Sequence, residues 1–595
     1  MKHTSILPRP EYPRPQFVRT EWRNLNGVWT YEFDPGKSGL ERGLAKSKGF
    51  SSEIVVPFCP QSRLSGVGNT DFIEAMFYHR TISVPKTWAG RRILLHFGGV
   101  DYSCEAFIDG RSAGIHHGGT VSFFFDVTDF VKPGKTHDLV LSVLDFQKSG
   151  VQPKGKQCRD WHSNGCSYTR TTGIWQTVWM EPVAMDGLKS CRVIPDLDGK
   201  AFHFTPIFFE EKRGRTLKVT VSADGVPAAE KTVPANSGVP FDVSLNGAVR
   251  AWSPEDPFLY DLKYELIEAD GTVSDTVTSY AGLRKFHIEG NRLFLNNKPV
   301  FLRFVLDQGF YPEGIWTAPT DGDLKRDIEL SLAAGFNGAR LHQKVFEERF
   351  HYWADKLGYL TWGEFSNGVG SAPWGSKPIT FEAKEFWQGN WNTLAEWRAV
   401  IERDVNHPSI ITWTPANEFW FGSSLADYRR IMTEYFELTK SIDPTRPCNE
   451  TSGYHHAKTD LWTVHVYCAG VDDLKKTLLP EDKPVFMRDL DFGYHGQPYL
   501  NDEFGGYKYL PPDRREKDSG WGYFGLKLEK PEDLLAVVAP QIRLMMECGR
   551  VAGYCYTQLT DVEQEQNGVY CYDRTPKVPA DQLAACFREG RLLKK

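Results

Sequence analysis

What constrains this chain most is a rhythm in its second half. From about residue 285 the sequence alternates between short apolar, β-branched runs and stretches with helical spacing. DLKRDIELSLAAGF (323–336) is followed by the strand-like NGARLHQ, RFHYWADKLG by YLTWGEF, LAEWRAVIERDVN by SIITWTPANE, and LADYRRIMTEYFELTKSID by NETSG. DLWTVHVY and PYLNDEFGG continue the series, and DLLAVVAPQIRLMMECG with VAGYCYTQLTD closes it. Strand and helix alternate about eight times over ~300 residues, as a (β/α)8 TIM barrel requires. Each parallel strand needs a crossover to bring the chain back to the same end of the sheet. Asp321 is the expected cap of the first helix. Asn296-Asn297 is the expected turn of a hairpin leading into the first barrel strand.

The rhythm before residue 285 is different. RILLHFGG (92–99) and SCEAFID (103–109) read as strands divided by Gly, Pro and Asp turns, with no sustained helical period. Residues 1–183 are therefore expected to form a jelly-roll-like antiparallel sandwich. TLKVTVSA, FDVSLNG and YDLKYELIE alternate in a smaller unit, 184–284, about the size of an immunoglobulin-like sandwich. The barrel takes 285–595. A chain of 595 residues exceeds one ordinary domain, which agrees with this division.

Composition removes several classes of function. The net charge is −6 and the pI about 6.3, so no basic excess points to nucleic acid or an anionic membrane. No stretch approaches ~20 apolar residues, and prolines interrupt the N-terminus before any signal-like core. The 11 cysteines lack C-x-x-C pairs and read as free thiols of a cytoplasmic protein, without a structural zinc. Aromatic residues reach 13 %, with 18 Trp. Packing accounts for most of them, although sugar sites also favour flat aromatic faces.

In a barrel of this kind the active site forms at the C-terminal strand ends, so the polar residues just past each apolar run are the candidates. Strand one offers Asp307 and Gln308; strand two Arg340, His342, Gln343 and Lys344; strand three Glu364. Strand four offers Asn417 and Glu418, strand six His465 and Tyr467, strand seven Asp502 and Glu503, strand eight Gln558 and Asp561. Two carboxylates facing one another across the mouth, among Arg, Tyr, Asn and His, are the equipment of glycoside hydrolysis. One would be a general acid with a pKa raised by burial and by its neighbour's charge, and the other would stay ionised.

These residues carry a resemblance. HPSIITWTPANE and QPYLNDEFGG resemble the acid/base and nucleophile segments of glycoside hydrolase family 2, the β-galactosidase, β-glucuronidase and β-mannosidase group. They occur in the right order, with the two Glu 85 residues apart. GVDYSCEAFIDGRSAGIHHGGTVSFFFDVTD and TTGIWQTVWME resemble that family's sugar-binding sandwich. The resemblance implies Glu418 as acid/base and Glu503 as nucleophile, with Asn417 on the sugar 2-hydroxyl. It implies Arg340 and Tyr467 as the groups that aim Glu503, and His342 as a sugar contact. Lys344, Asp307, Gln308 and Trp413 complete the expected substrate-binding set. Glu364 is expected to support Arg340, and His465 is read evenly between packing and site.

The departures concern the sugar. Gln343-Lys344 stand where many members have Tyr-Pro. Strand eight ends YTQLTD without the usual Trp, leaving Tyr556 or a residue from elsewhere as the platform. Where β-glucuronidases carry Asn-x-Lys, this chain has Glu565-Gln566-Asn567, and Glu565 is expected to repel a uronate. The loop 157–171 projects towards the mouth, with Asp160, Trp161 and Arg170 as candidate contacts.

The resulting expectation is an exo-acting retaining β-glycosidase, β-galactosidase-like because that is the commonest activity in the family. The alternatives are β-mannosidase, β-glucuronidase, α-L-arabinopyranosidase or transglycosylase activity, or a non-catalytic carbohydrate-binding protein. No organic cofactor is required. Mg²⁺ serves some β-galactosidases, but no ligand cluster is spaced clearly enough to assign one. The expected partner is a glycoside, not nucleic acid or a membrane, and self-association into a homo-oligomer stays open.

Overall fold

The structure is a computed structural model that describes residues 7–366, 383–419, 424–453, 455–488, 491–517 and 520–593. Residues 23–183 form two facing antiparallel sheets, one of four strands and one of six. Trp29, Tyr78, Leu95, Phe97 and Leu141 fill the space between them. Residues 188–281 form a second sandwich of three and four strands. Its strand Tyr260–Ile267 shows why the sequence pattern is readable. Tyr260, Leu262, Tyr264 and Leu266 are buried on one face while Asp261 and Lys263 point outward. Each such apolar side chain contributes roughly 1.5–3 kcal/mol by leaving water.

The expected hairpin is present: Arg292–Leu295 pairs antiparallel with Lys298–Pro299. Asn296 and Asn297 turn it at φ 53° and 62°, the left-handed pair that a two-residue turn needs. The barrel then supplies seven parallel strands in one sheet. They are strand one (Leu302–Asp307), two (Gly338–Leu341), three (Leu360–Glu364), four (Ile410–Thr414), six (Trp462–His465), seven (Tyr499–Gly505) and eight (Val551–Thr557). Their order is four-three-two-one-eight-seven-six, with strand one pairing strand eight from Leu302↔Gly553 onward.

The fifth position holds 447–453, which among the described residues bridges strand four at Trp413↔Cys448 and the turn just past it at Asn417↔Ser452. On the other side the Asp460 N–H donates to the Cys448 carbonyl at 2.9 Å. NETSG thus occupies the fifth place without becoming a regular strand.

Helices follow the strands as anticipated. Leu425–Ile442 buries Tyr428, Ile431, Met432, Tyr435, Phe436 and Thr439, a stripe at helical spacing. The first helix, Asp321–Ala333, corrects one expectation. Thr320 is its cap, in a reciprocal box with Asp323, and Asp321 is already its first residue. All eleven cysteines are free thiols, and among the described residues no helix is long and apolar enough to cross a membrane.

The first sandwich leans on the barrel mouth through residues 154–169. The Gly155 N–H donates to the Ser366 carbonyl just past strand three. On the opposite side the Tyr168 hydroxyl donates to Glu565 at 2.6 Å, and the Thr169 N–H donates to Glu563 at 3.1 Å.

Candidate active site

Arg340 organises the mouth. It stands one residue before the end of strand two, and its side chain is fully buried. A guanidinium there persists only if its donors are spent. Nε donates to Glu364 at 2.6 Å, Nη1 to Glu503 at 2.9 Å and to the Asp502 carbonyl at 3.1 Å, and Nη2 to Asn417 Oδ1. One rigid fork therefore ties together the ends of strands two, three, four and seven. Glu364 supports Arg340, as expected.

Glu503 has both oxygens engaged, Oε1 by Arg340 and Oε2 by the Tyr467 hydroxyl at 2.7 Å. Burial pushes its pKa up, but the charges of His465 and Arg340 outweigh burial and hold it below the usual range, against Glu418 pushing up. It is an aimed, ionised carboxylate.

Glu418 departs from expectation. Burial raises its pKa, yet the charge and hydrogen bond of His465, with Lys156 and Arg340, bring it down to about 2. His465 Nδ1 lies 2.6 Å from Glu418 Oε1 and 3.4 Å from Glu503 Oε2. Burial lowers the pKa of His465, but Glu503, Asp502 and Glu418 together raise it above its ordinary value. The resting proton thus sits on His465, shared with Glu418, rather than on a shielded carboxyl. Phe419 packs against Tyr428, the Glu418 side chain keeps 30 % of its surface, and Trp420 lies outside the described residues. Glu418 adopts φ 44°, a left-handed conformation costly for a residue with a side chain, and its N–H is held by the Ser452 carbonyl at 3.0 Å.

His342 is buried, and burial with the Lys156 and Arg340 charges pushes its pKa well down, so the ring is neutral. Its Nδ1 lies 3.1 Å from Arg340 Nη2 and 3.1 Å from Glu364 Oε1, which fixes the ring at the end of strand two. Gln308 is buried with Oε1 unpaired among the described residues.

Three expected contacts are turned away from this site. Lys344 caps the carbonyls of Gly309 and Trp316 at 2.5 and 2.7 Å, and burial lowers its pKa to about 8. Gln343, at φ 47°, redirects the chain just before it. Trp413 points to the helices, packs on Trp397 and donates to Asp443 at 2.8 Å. Asp307 accepts the Gly309 N–H at 2.9 Å, and burial with the Asp327 charge raises its pKa to about 7. Tyr556 is buried against Phe504 and Phe587 and offers no platform. Arg170 is spent on the carbonyls of Cys158, Asp160 and Thr70, while Asp160 and Trp161 are exposed.

Sequence reasoning missed other groups. Tyr523 lies 4.6 Å from Tyr467, ring to ring, and Trp521 meets Tyr523 edge-on at 5.2 Å. The Trp521 ring N–H donates to the Gly165 carbonyl at 2.9 Å, so this aromatic pair continues the wall begun by the sandwich. The WGY run of 521–523 was a visible signal, but no strand end marked it.

One donor atom each of Glu418, His465 and Glu503 lie within 4.8 Å of one another, a cluster the sequence did not reveal. It does not suit Mg²⁺, which wants a shell of hard oxygens. Nδ1 of His465 is already committed to Glu418, and a guanidinium touches Glu503.

If the shared proton belongs to the His465–Glu418 pair, His465→Gln carries a signed consequence. The wild-type pair loses its proton only above the ordinary histidine pKa, whereas the variant's proton resides on a carboxyl. The basic limb of kcat/KM is therefore expected to move to lower pH, with a loss of roughly tenfold or more at pH 7.5. A pH–rate profile in which the limb stays put would remove His465 from the proton's path.

Three comparisons with known proteins agree with this architecture. The sugar binding domain of glycosyl hydrolases family 2 matches residues 68–180, a further domain of that family matches 188–284, and its TIM barrel domain matches 286–504. A putative beta-glucuronidase of Formosa agariphila is 28 % identical over 62 % of this chain, and the chain spans 44 % of that relative's length. A beta-glucuronidase of Paenibacillus borealis is 24 % identical over 73 % of this chain and 74 % of its own. Bacterial beta-galactosidases match more weakly. The crystal structure of Ruminococcus gnavus beta-glucuronidase superposes with TM-score 0.79 at 19 % identity, covering 98 % of this chain and 100 % of its own, a likeness of fold.

Proposed function

The chain belongs to glycosyl hydrolases family 2, and on that premise we propose that it is an exo-acting β-glycosidase working by retaining double displacement. The observation that carries this reading is the placement of Glu418 and Glu503, each with an oxygen within 4.8 Å of the other and of His465. Retaining enzymes hold their carboxyls ~5–5.5 Å apart; a wider gap would leave room for water to attack in place of Glu503.

The residues account for each step. Glu503 attacks the anomeric carbon as the bond to the leaving oxygen breaks, and that oxygen takes the proton shared by Glu418 and His465. In this reading Asn417 and the His342 ring orient the sugar hydroxyls. Glu418 then removes a proton from water, the water oxygen bonds the anomeric carbon, and Glu503 departs.

A terminal β-glucuronide is placed ahead of the galactoside, because beta-glucuronidases lead the relatives. The objection from Glu565 also weakens. That carboxyl accepts from Tyr168 and Asn567, and burial raises its pKa, so it presents less than a bare negative charge.

Turnover of aryl β-glycosides (glucuronide, galactoside, glucoside, mannoside, fucoside, α-L-arabinopyranoside) followed by NMR is the test. The expected outcome is hydrolysis of one sugar with the starting anomer appearing first. First appearance of the opposite anomer would overturn retention. Sugar binding without turnover of any substrate would favour a carbohydrate-binding protein.

A further inference from the structure

The segment that the first sandwich sends across the barrel mouth is pinned at two points, and one lysine stands between them. At the first point Gly155 donates to the Ser366 carbonyl. Its φ is +58°, and a Cβ there would lie 2.3 Å from the Gln343 carbonyl oxygen, so only glycine lets the segment come this close to the barrel. At the second point the Tyr168 N–H donates to the Lys156 carbonyl at 2.7 Å while its hydroxyl reaches Glu565. Lys156 follows Gly155 directly and is hydrogen-bonded to Tyr168. Its backbone is therefore fixed at the mouth, between the ends of strands two and three and the loop after strand eight.

Lys156 is half-buried, and no described residue gives its ammonium a hydrogen bond or an ion pair. Its neighbours differ. Lys154 is satisfied by the carbonyls of Gly155 and Gln157, and Lys344 by those of Gly309 and Trp316. An ammonium whose donors are not spent on protein groups can give them to an anionic ligand. Burial lowers the Lys156 pKa, but the charges of Cys166, Glu565, Glu503 and Glu418 more than offset it, so the group remains a cation in the field of the catalytic carboxylates. Arg340 and His465 are already engaged by the catalytic carboxylates, which leaves Lys156 as a cation not paired with a described residue to meet an anionic sugar.

We propose that Lys156 determines specificity by receiving the carboxylate of a terminal hexuronic acid, in place of the lysine of the Asn-x-Lys segment that this chain lacks. This rests on the β-glycosidase reading above. It assigns the recognition of charge to the sandwich domain rather than to the barrel.

The test is the ratio of kcat/KM on 4-nitrophenyl β-D-glucuronide and β-D-galacturonide to that on the matching glucoside and galactoside. The ratio is expected to favour the uronides in the wild type and to fall about 100-fold in Lys156→Met, chiefly through KM. Lys156→Arg, which keeps the charge, should retain most of it. An unchanged ratio in Lys156→Met, with all substrates falling together, would make Lys156 a structural counter-charge to Glu565 and overturn the proposal. A wild type that hydrolyses only neutral sugars would overturn it too, while leaving the glycosidase reading intact. If the wild type hydrolyses none of the four, D-glucuronic acid binding to Glu503→Gln by calorimetry decides. Binding that Lys156→Met abolishes in that background supports the assignment, and binding that survives it, or none at all, refutes it.

Discussion

Replacing Glu503 by Gln is expected to lower kcat by roughly 10⁴–10⁶-fold on every substrate the protein hydrolyses, with little change in thermal midpoint. The amide has nearly the shape of the carboxylate. Its oxygen can still accept from Arg340 or Tyr467, which hold the two Glu503 oxygens at 2.9 and 2.7 Å. What is lost is the negative charge that attacks the anomeric carbon, and no neighbour can supply it. Glu364 is locked on Arg340 at 2.6 Å. Asp502 accepts from Ser452 at 2.5 Å, and burial raises its pKa. The check is direct: a slow 2-fluoro glycoside should leave its sugar on the wild-type peptide that contains Glu503, read by mass spectrometry, and leave none on the variant. A label on Glu364 or Glu418, or a variant retaining one per cent of the wild-type rate, would sink the assignment.

Glu503, Glu418, Arg340 and Tyr467 were legible because a parallel barrel gathers its strand ends at one mouth. A polar residue just past an apolar run then has a predictable location, even though its partner is 163 residues away, as for Arg340 and Glu503. Trp413 and Lys344 were misplaced by the same logic applied too evenly. Successive strand residues alternate between the barrel interior and the helix layer, and Trp413 falls on the helix side. Lys344 lies beyond the strand, after a residue with left-handed φ that no local pattern announces. The fifth strand position was marked by NETSG, but among the described residues its backbone bridges strand four and the turn just past it once each, too few to read as a strand.

Protonation was less accessible still. Burial alone argues for a raised pKa at Glu418, and the charge and hydrogen bond of His465, 47 residues on, with the charges of Lys156 and Arg340, reverse the sign. Lys156 was invisible for a related reason. Its placement depends on Gly155 meeting strand-end backbone in another domain and on Tyr168 reaching Glu565, 397 residues away. Contacts between domains leave no periodicity in either partner.

The second large effect concerns Arg340 and separates its two duties. Arg340→Met fills much of the same volume but leaves Glu364, Glu503 and the Asn417 amide oxygen without their shared donor. Removing one partner from a buried charge network typically costs about 3–5 kcal/mol, so the thermal midpoint should fall by several degrees. A structural loss alone would lower activity equally at all pH values. Arg340 also holds the Glu503 pKa down, second among the lowering charges to His465. Without it burial gains weight, Glu503 keeps its proton to higher pH, and the acidic limb of kcat/KM should move upward. Arg340→Lys retains a charge but cannot reach Glu364, Glu503 and Asn417 with one ammonium, so it should recover the limb in part and the midpoint hardly at all. A variant whose midpoint drops while its acidic limb stays in place would show that Arg340 braces the barrel mouth without tuning the nucleophile, and the ionisation of Glu503 would then rest on His465 and Tyr467.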